Sequence, residues 1–444
     1  MDPKKDKTTS SSHLAANFIS AAAAFILILM VVATGYRLYA RHYPGPGIPN
    51  NADFGFCDFY NGIYYPSQAF LARDNPYGKG VTEDYPMSRP VPFFSPLVFL
   101  IHAPLAMLPQ VAASIVYFGC LIAMVVFISR FAFQASQAEA KLGLVSALAA
   151  CLLASRPGQI AVFNGYFTLE LVIGSILAIH YPGKRPGLAV VGLVITSFKP
   201  TYAIPMFILM MARGYWRPAI IGATVSTVFA IGGLMWIAES TSLTQCIQIA
   251  LDAQSSHHEF SNLWPVNTWT RIDLVCVFAK WLGANPGDSL QLIGMVLIVL
   301  LPCVLLLRIE RQNRLAGDEP FSAAGPIGAI CMLAMLVSLY HHFYDALILV
   351  VPAVGILLFK NNEWRNFSKF NRWLLFSLLV VPFVNYFSAK AILRKLSLDG
   401  TGYQLVTSVN GICLAIALVY LCICCWEFGQ TASVRKENAR KATN

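Results

Sequence analysis

The feature that most constrains this chain is a series of apolar runs, each about 16 to 25 residues long, that recurs from Ala15 to the C-terminal tail. A helix of about 20 apolar residues is needed to cross a hydrocarbon layer of roughly 30 Å. Because 57% of the residues are hydrophobic and only 12% are charged, 444 residues supply too little polar surface for a soluble particle. The sequence therefore predicts an all-α polytopic membrane protein with roughly 11–12 transmembrane segments.

The chain divides into a membrane domain and two short tails, both predicted to be cytoplasmic. The N-terminal tail is 1–14, the membrane domain 15–427 and the C-terminal tail 428–444. The first apolar run, Ala15 to Thr34, lacks a convincing small-residue cleavage site and is interpreted as a retained signal anchor. Long extracytoplasmic loops are predicted at about 36–92 and about 239–287.

Two apolar stretches are interrupted by proline and are not interpreted as single spans. The run from Phe93 to Pro109 is predicted to lie at the membrane interface. Gly187 to Met211 has the length of one helix, but a single crossing would place Arg213 and Arg217 outside. Two short segments that meet outside at Lys199 keep most of the 32 Lys and Arg residues in the cytoplasm, so we predict this hairpin.

The formal charge of +10 does not indicate a nucleic-acid partner, because the basic residues are spread between the apolar spans. This distribution favours contact with anionic membrane lipid. The 11 cysteines have no spacing typical of zinc sites or disulfide frameworks. The sequence also contains neither a Gly-rich dinucleotide loop nor a Walker motif.

In the predicted topology, polar side chains from distant segments converge on the extracytoplasmic face. They are Asp58 and Tyr60, Arg156 and Gln159, Lys199, and the group His341, His342, Tyr344 and Asp345. Ionisable groups at membrane depth are costly and usually face a cavity or a partner. A carboxylate that accepts a proton, together with cations that stabilise a leaving phosphate, is what glycosyl transfer from a lipid phosphate requires.

Each of these residues also has a structural interpretation. Asp58 could cap a helix beside interfacial aromatic residues, and four other acids in the same loop are alternatives to it: Asp53, Asp74, Glu83 and Asp84. Lys199 and Arg156 could extend to lipid headgroups. Adjacent histidines diverge on a helix, so His341 and His342 are not expected to share a metal ion. One imidazole could bond to phosphate or sugar, or both could be structural.

At these residues the chain resembles the polyprenol-phosphate-mannose-dependent mannosyltransferases, which form glycosyltransferase family 87 of the GT-C superfamily. The matching motifs are Asp58-Phe59-Tyr60, Asn75-Pro76-Tyr77, Pro104-Leu105-Ala106-Met107-Leu108-Pro109, Gly158-Gln159, Lys199-Pro200, and His342 with Tyr344-Asp345. The resemblance implies a GT-C fold, inverting transfer of a hexose, a general base at Asp58 and no requirement for a cofactor or metal. The segment from Tyr85 to Pro90 is an elaborated form of the family's loop. The resemblance therefore does not define the acceptor site.

From the residues and the resemblance together we predict a polyprenyl-phosphate-sugar-dependent hexosyltransferase of the plasma membrane, with a glycolipid or glycan acceptor. Asp58 is the predicted base. The predicted ligands of the donor phosphate are Lys199, Arg156 and His342, and the predicted substrate contacts are Tyr60, Gln159, His341, Tyr344 and Asp345. The alternative is a multi-span transporter or flippase of a lipid-linked or polyol substrate, which the long first loop and the lack of an internal repeat disfavour. A membrane scaffold without chemistry is a third possibility.

Overall fold

The computed structural model describes residues 4–41, 54–77, 81–87, 94–238, 242–245, 247–248, 251–252, 264–317, 319–358 and 362–443. Within these ranges the chain is helical, without a β-strand, so the predicted all-α class is confirmed. The α-helices are α1 (Lys4–Ala40), α2 (Cys57–Phe59), α3 (Tyr65–Leu71), α4 (Val81–Asp84), α5 (Leu97–Ala106), α6 (Gln110–Ala135), α7 (Leu142–Ala154), α8 (Arg156–Asn164), α9 (Thr168–His180), α10 (Pro186–Thr196), α11 (Pro200–Ala212), α12 (Trp216–Ile237), α13 (Leu274–Leu282), α14 (Asp288–Ala316), α15 (Pro326–Ser338), α16 (Val350–Leu358), α17 (Lys369–Val384), α18 (Lys390–Lys395) and α19 (Gly400–Thr443). A π-helix covers Tyr60–Tyr64, and 3₁₀ turns cover Phe343–Leu349, Asn362–Trp364 and Tyr386–Ser388.

The described helices include six that are long and apolar enough to cross a membrane. They cover Asn17–Ala40, Gln110–Ala135, Trp216–Ile237, Ser289–Ala316, Lys369–Ser388 and Gly400–Glu427. Helices α7 and α8, bent by 76°, form a seventh if they are taken as one broken span. Six further apolar helices are 10–17 residues long, so helix length alone does not yield the predicted 11–12 segments. The chain is nevertheless polytopic.

Contacts between helix termini distinguish two ends of the bundle. At the first-loop end, the amide of Phe56 donates to the carbonyl of Phe163 (2.7 Å) and the amide of Ser95 to that of Phe198 (3.1 Å). At the opposite end, Nε of Arg213 donates to Glu310 in a buried ion pair (2.8 Å). We call this opposite end the Arg213 end.

The stretch from Gly187 to Met211 is a hairpin between these two ends. Ile179, which precedes α10, accepts a hydrogen bond from Arg213, which follows α11 (2.8 Å). The break between the two helices lies instead at the first-loop end, where Lys199 is extended (φ −126°, ψ 118°). The predicted pair of short segments meeting at Lys199 is therefore confirmed. The side of the membrane on which they meet stays a prediction.

Helix α15 forms the centre of the bundle, because all of its 13 residues are buried. An apolar helix buried on every face needs neighbours on every side. The segment that follows it, His341–Phe343, is thereby held inside the protein rather than at its lipid-facing surface. The polar residues of this segment, His341 and His342, therefore lie next to the ends of several other helices.

The two predicted long loops are described in part. Asp53 and residues 88–90 of the elaborated Tyr85–Pro90 segment lie outside the described residues. The described part of the first loop is helical and packs into the bundle, with Phe59 and Ile63 fully buried. Of the second loop, 264–273 and α13 pack against the bundle near His342.

Candidate functional site

Asp58 lies on α2, the first helix of the first loop. The helix starts after Phe56, whose backbone is left-handed (φ 59°), and the Asp58 side chain is buried, with 7% exposure. Its Oδ2 accepts a hydrogen bond from Nδ2 of Asn164 at 3.0 Å. The thiol of Cys57 lies 3.8 Å from Oδ1. The carboxylate is therefore oriented by a neutral amide donor.

Gly165, directly after Asn164, allows this contact. Its φ of 69° is a left-handed conformation that ends α8. A Cβ at this position would lie 2.5 Å from the ring of Phe56 and 2.8 Å from Cβ of Phe59. The turn between α8 and α9 can approach α2 this closely only because residue 165 has no side chain.

Lys199 lies in the break of the hairpin and is 6% exposed. Its Nζ is 3.4 Å from Oδ2 of Asp345 and between 5.6 and 5.8 Å from the ring centres of Tyr166, Tyr202 and Tyr340. Aromatic faces stabilise a nearby ammonium group. Within the described part of the chain, Asp345 is the carboxylate that pairs with Lys199. An ammonium group has three donors, so most of its bonding capacity is available to a ligand.

Asp345 has no exposed surface and acts as an internal anchor. Besides Lys199, its Oδ2 contacts Nδ1 of His341 (3.1 Å) and accepts from the amide of His342 (2.9 Å). These bonds hold the start of the 3₁₀ segment that follows α15. Asp345 is thus the counter-ion that makes a buried Lys199 tolerable.

The two histidines diverge, as predicted. His341 is fully buried, with Nδ1 bonded to Asp345 and Nε2 bonded to the carbonyl of Thr201 (3.3 Å). Burial lowers the pKa of His341 although the carboxylate of Asp345 opposes this, so its imidazole is neutral near pH 7. His342 is half-buried and bonds to Thr270 and Tyr340, both at 2.8 Å.

Two tyrosines connect the Asp58 and Lys199 regions. Tyr166, two residues after Asn164, has its ring 5.9 Å from that of Tyr344, and Tyr344 stacks on His342 at 5.0 Å. Burial raises the pKa of Tyr344, and the carboxylates of Asp345 and Asp58 raise it further. At the first-loop end, the ammonium group of Lys199 thus lies 5.8 Å from the ring centre of Tyr166, and the Asp58 carboxylate is bonded to Asn164, two residues before Tyr166.

Arg156 reaches the same end but bonds elsewhere. Its Nη1 donates to the carbonyl of Asn385 (3.0 Å) and to the hydroxyl of Ser388, and Nη2 donates to the carbonyl of Ser388 (2.9 Å). The guanidinium also lies 3.8 Å from the ring centre of Phe343. These contacts join α8 to the end of α17.

Two predicted substrate contacts are likewise bonded to the protein. Nε2 of Gln159 donates to the carbonyl of Ala154 (3.1 Å), the last residue of α7. The hydroxyl of Tyr60 bonds to Ser114 on α6 (2.6 Å). Both side chains stabilise helix junctions at the edge of the site.

Sequence reasoning missed Asn164, Thr270 and Arg271. Asn164 stands in an Asn-Gly pair, which signals a turn but not a contact with Asp58. Arg271 and Thr270 follow a long loop and contact residues about 70 positions later, such as His342. In the described part of the chain, no three His, Cys, Asp or Glu residues could hold a metal ion. The expectation that no metal is needed stays a prediction.

The fold and these contacts define a polytopic membrane protein with a polar, aromatic-lined site at one end of its helix bundle. The chain matches glycosyltransferase family 87 over residues 93–338, more than half of its length, and it belongs to this family. The predicted family is therefore confirmed, whereas its donor and sugar stay predictions. Membership in this family does not favour a transporter or flippase. The matched region contains Asn164, Lys199 and Arg271, but neither Asp58 nor His342. Neither a curated protein nor a solved structure matches the chain.

Proposed function

We propose that the protein is an inverting glycosyltransferase that moves a hexose, mannose, from a polyprenyl-phosphate sugar to a glycolipid or glycan acceptor at the extracytoplasmic face of the plasma membrane. Family membership supports the reaction class. The observation that carries the proposal is that a carboxylate, Asp58, and a buried cation, Lys199, both lie next to the segment from Asn164 to Tyr166. A donor with a lipid tail fits a site at the end of a membrane bundle and needs no nucleotide-binding fold.

In the proposed reaction Asp58 is the general base. Its carboxylate takes the proton of the acceptor hydroxyl while the acceptor oxygen bonds to the anomeric carbon of the sugar. The bond from that carbon to the phosphate oxygen breaks, and the polyprenyl phosphate leaves with the electron pair. One displacement inverts the anomeric configuration. Asn164 acts as a positioning residue, because its bond to Oδ2 orients the carboxylate.

Lys199 stabilises the leaving phosphate in this proposal. The phosphate gains negative charge as the glycosidic bond breaks, so a fixed cation binds the transition state more strongly than the ground state. The 3.4 Å contact of Lys199 with Asp345 is longer than a typical charge-assisted hydrogen bond. A phosphate oxygen can therefore compete for the ammonium group without breaking a strong ion pair.

The other predicted residues divide into two groups. Half-buried His342 and Tyr344 contact the sugar or phosphate, since Tyr344 packs against the ring of Tyr166 and His342 stacks on Tyr344. Arg156, Gln159 and His341 instead support the site, because their hydrogen bonds go to other parts of the chain. Asp345 contributes as the counter-ion of Lys199, and Tyr60 holds the first loop against α6.

The test is transfer by purified protein of a hexose from polyprenyl-phosphate hexose to a glycolipid extract, with products identified by mass. Asp58→Asn is expected to lower kcat by about 10²- to 10⁴-fold, because an amide cannot accept the proton. The matched control is Asp84→Asn, an exposed acid on α4, which should keep wild-type turnover. If Asp58→Asn turns over within a few-fold of wild type, Asp58 is not the base.

A further inference from the structure

The segment before α13 is joined to the histidine segment by backbone bonds. The amide of Ile272 donates to the carbonyl of His341 (2.9 Å), and the amide of Phe343 donates to the carbonyl of Thr270 (2.8 Å). Arg271 lies between these two bonds and forms an isolated antiparallel bridge with His342. Its backbone position beside His342 is therefore fixed.

The side chain of Arg271 shares an aromatic neighbour with Lys199. Its guanidinium carbon lies 4.6 Å from the ring centre of Tyr340, and Nζ of Lys199 lies 5.7 Å from the same ring centre. The hydroxyl of Tyr340 bonds to Nε2 of His342. One half-buried tyrosine thus brings two cations and an imidazole together.

Arg271 is held by one edge of its guanidinium group. Its Nε and Nη2 bond to the two carboxylate oxygens of Asp273 at 2.8 and 2.9 Å, and the side chain is only 3% exposed. Burial opposes its charge, but the ion pair with Asp273 outweighs burial and raises the pKa of Arg271. Among the described residues, none accepts a hydrogen bond from Nη1. Nη1 is not among the buried donors that lack a partner, so it is open to solvent and to a ligand.

We infer that Arg271 is a second cationic ligand of the donor phosphate, acting with Lys199 around Tyr340. The inference rests on the proposed function. A planar guanidinium can bind a carboxylate with one edge and phosphate oxygens with another, which an ammonium group cannot do. Each cation is paired with its own carboxylate, Asp345 or Asp273, so the two ion pairs carry no net charge. A phosphodiester then adds one negative charge, and two cations share the charge that develops on the leaving polyprenyl phosphate.

The inference is tested by binding of polyprenyl phosphate, without sugar or acceptor, to the purified full chain in detergent. Arg271→Gln alone would leave Asp273 as an unpaired buried charge, so the informative variant is Arg271→Gln with Asp273→Asn. Asparagine at 273 can still accept the bond from the amide of Cys276 that caps α13 (2.9 Å). This double variant should keep the melting temperature of the wild type and bind polyprenyl phosphate about 10- to 100-fold more weakly, the effect of one charged hydrogen bond.

Two further variants sharpen the result. Arg271→Lys, which keeps the positive charge, should bind polyprenyl phosphate more tightly than the double variant but less tightly than the wild type. Its KM for the donor should be higher than that of the wild type, and its KM for the acceptor should be unchanged. Arg308→Gln on α14 removes another arginine stacked on an aromatic ring, 4.4 Å from the ring centre of Trp426 on α19, and should bind polyprenyl phosphate as the wild type does. The comparison separates loss of a phosphate ligand from loss of a stacked arginine.

The outcomes distinguish the two proposals. If the wild type binds polyprenyl phosphate and the folded double variant binds within two-fold of it, Arg271 is structural and the inference is wrong. If the double variant loses phosphatidylglycerol binding to the same extent, the site recognises phospholipid headgroups in general, which also overturns the inference. If the wild type itself does not bind polyprenyl phosphate, the proposed donor class is wrong.

Discussion

Lys199 and Lys280 are both buried lysines, and their surroundings assign them different roles. Nζ of Lys280 donates to the carbonyl of Thr407 (3.1 Å), which joins α13 to α19. Lys199 instead lies among tyrosine rings with one long contact to Asp345. A lysine that bonds to a carbonyl secures two helices, whereas one surrounded by aromatic faces and a single carboxylate can exchange partners. The chemical environment, not burial alone, makes Lys199 a candidate ligand.

We predict that Lys199→Met lowers kcat/KM for the donor by roughly 10²-fold, since it removes one charge-stabilising contact. Lys199→Arg should recover only part of the loss, because the guanidinium group has a different geometry. Steady-state kinetics with varied donor, on protein checked for folding, measures the effect. The control is Lys280→Met, which is expected to lower the melting temperature and leave donor kinetics of the folded fraction intact. Unchanged donor kinetics in Lys199→Met would place the phosphate elsewhere.

At the scale of helices and turns, the junction between α8 and α9 decides how the first loop meets the bundle. Gly165 and Gly283 end α8 and α13 with nearly the same backbone conformation, φ 69° and 67°. A Cβ at 283 would meet no atom within 4 Å, whereas one at 165 would press on Phe56 and Phe59. The two positions therefore share backbone strain and differ in packing. This difference isolates the effect of the contact between the turn and α2.

We predict that Gly165→Ala lowers kcat by about 10²-fold, because displacing α2 by about 1 Å misaligns the Asp58 carboxylate. Gly283→Ala should carry a similar backbone cost, roughly 1–2 kcal/mol, and leave kcat unchanged. Turnover and melting temperature of the two variants are compared side by side. Equal losses of turnover would show that strain at the glycine, rather than contact with α2, limits activity.

Across the whole molecule, the two ends of the bundle carry basic residues in different settings. At the Arg213 end they belong to short connections, as in the pair Lys184–Glu319 (3.6 Å) and the bond from Arg314 to the carbonyl of Arg213 (2.7 Å). At the first-loop end Arg156, Lys199 and Arg271 are buried in the polar network. The positive-inside rule applies to short loops, so we predict that the Arg213 end is cytoplasmic.

Cysteine labelling tests this orientation. Asp399 is exposed and precedes α19 at the first-loop end, where Tyr403 bonds to Asn267 (2.7 Å). Leu315, 82% exposed, lies at the Arg213 end. In intact cells, and with exposed Cys120 and Cys151 and Cys246 of the predicted second loop replaced, a membrane-impermeant thiol reagent should label Asp399→Cys and reach Leu315→Cys only after permeabilisation. The reverse pattern would place the site in the cytoplasm.

The sequence by itself determined the features that depend on neighbouring residues. Apolar runs of membrane length predicted the helical bundle, and a lysine followed by proline predicted the hairpin break at Lys199. The aromatic setting of Asp58, together with the family resemblance, singled out that acid. Helix length and chain breaks are local properties, and the burial of apolar segments follows from their composition.

The tertiary structure alone decided the partners of the charged residues. Asp58 bonds to Asn164, which is 106 positions away, and Lys199 pairs with Asp345 across 146 positions. Arg156, predicted as a phosphate ligand, bonds to Ser388, while Arg271 lies beside Tyr340. The free energy of a buried charge depends on the groups within a few ångströms of it, and these groups come from helices far apart in the chain. Only the folded arrangement of the helices selects them.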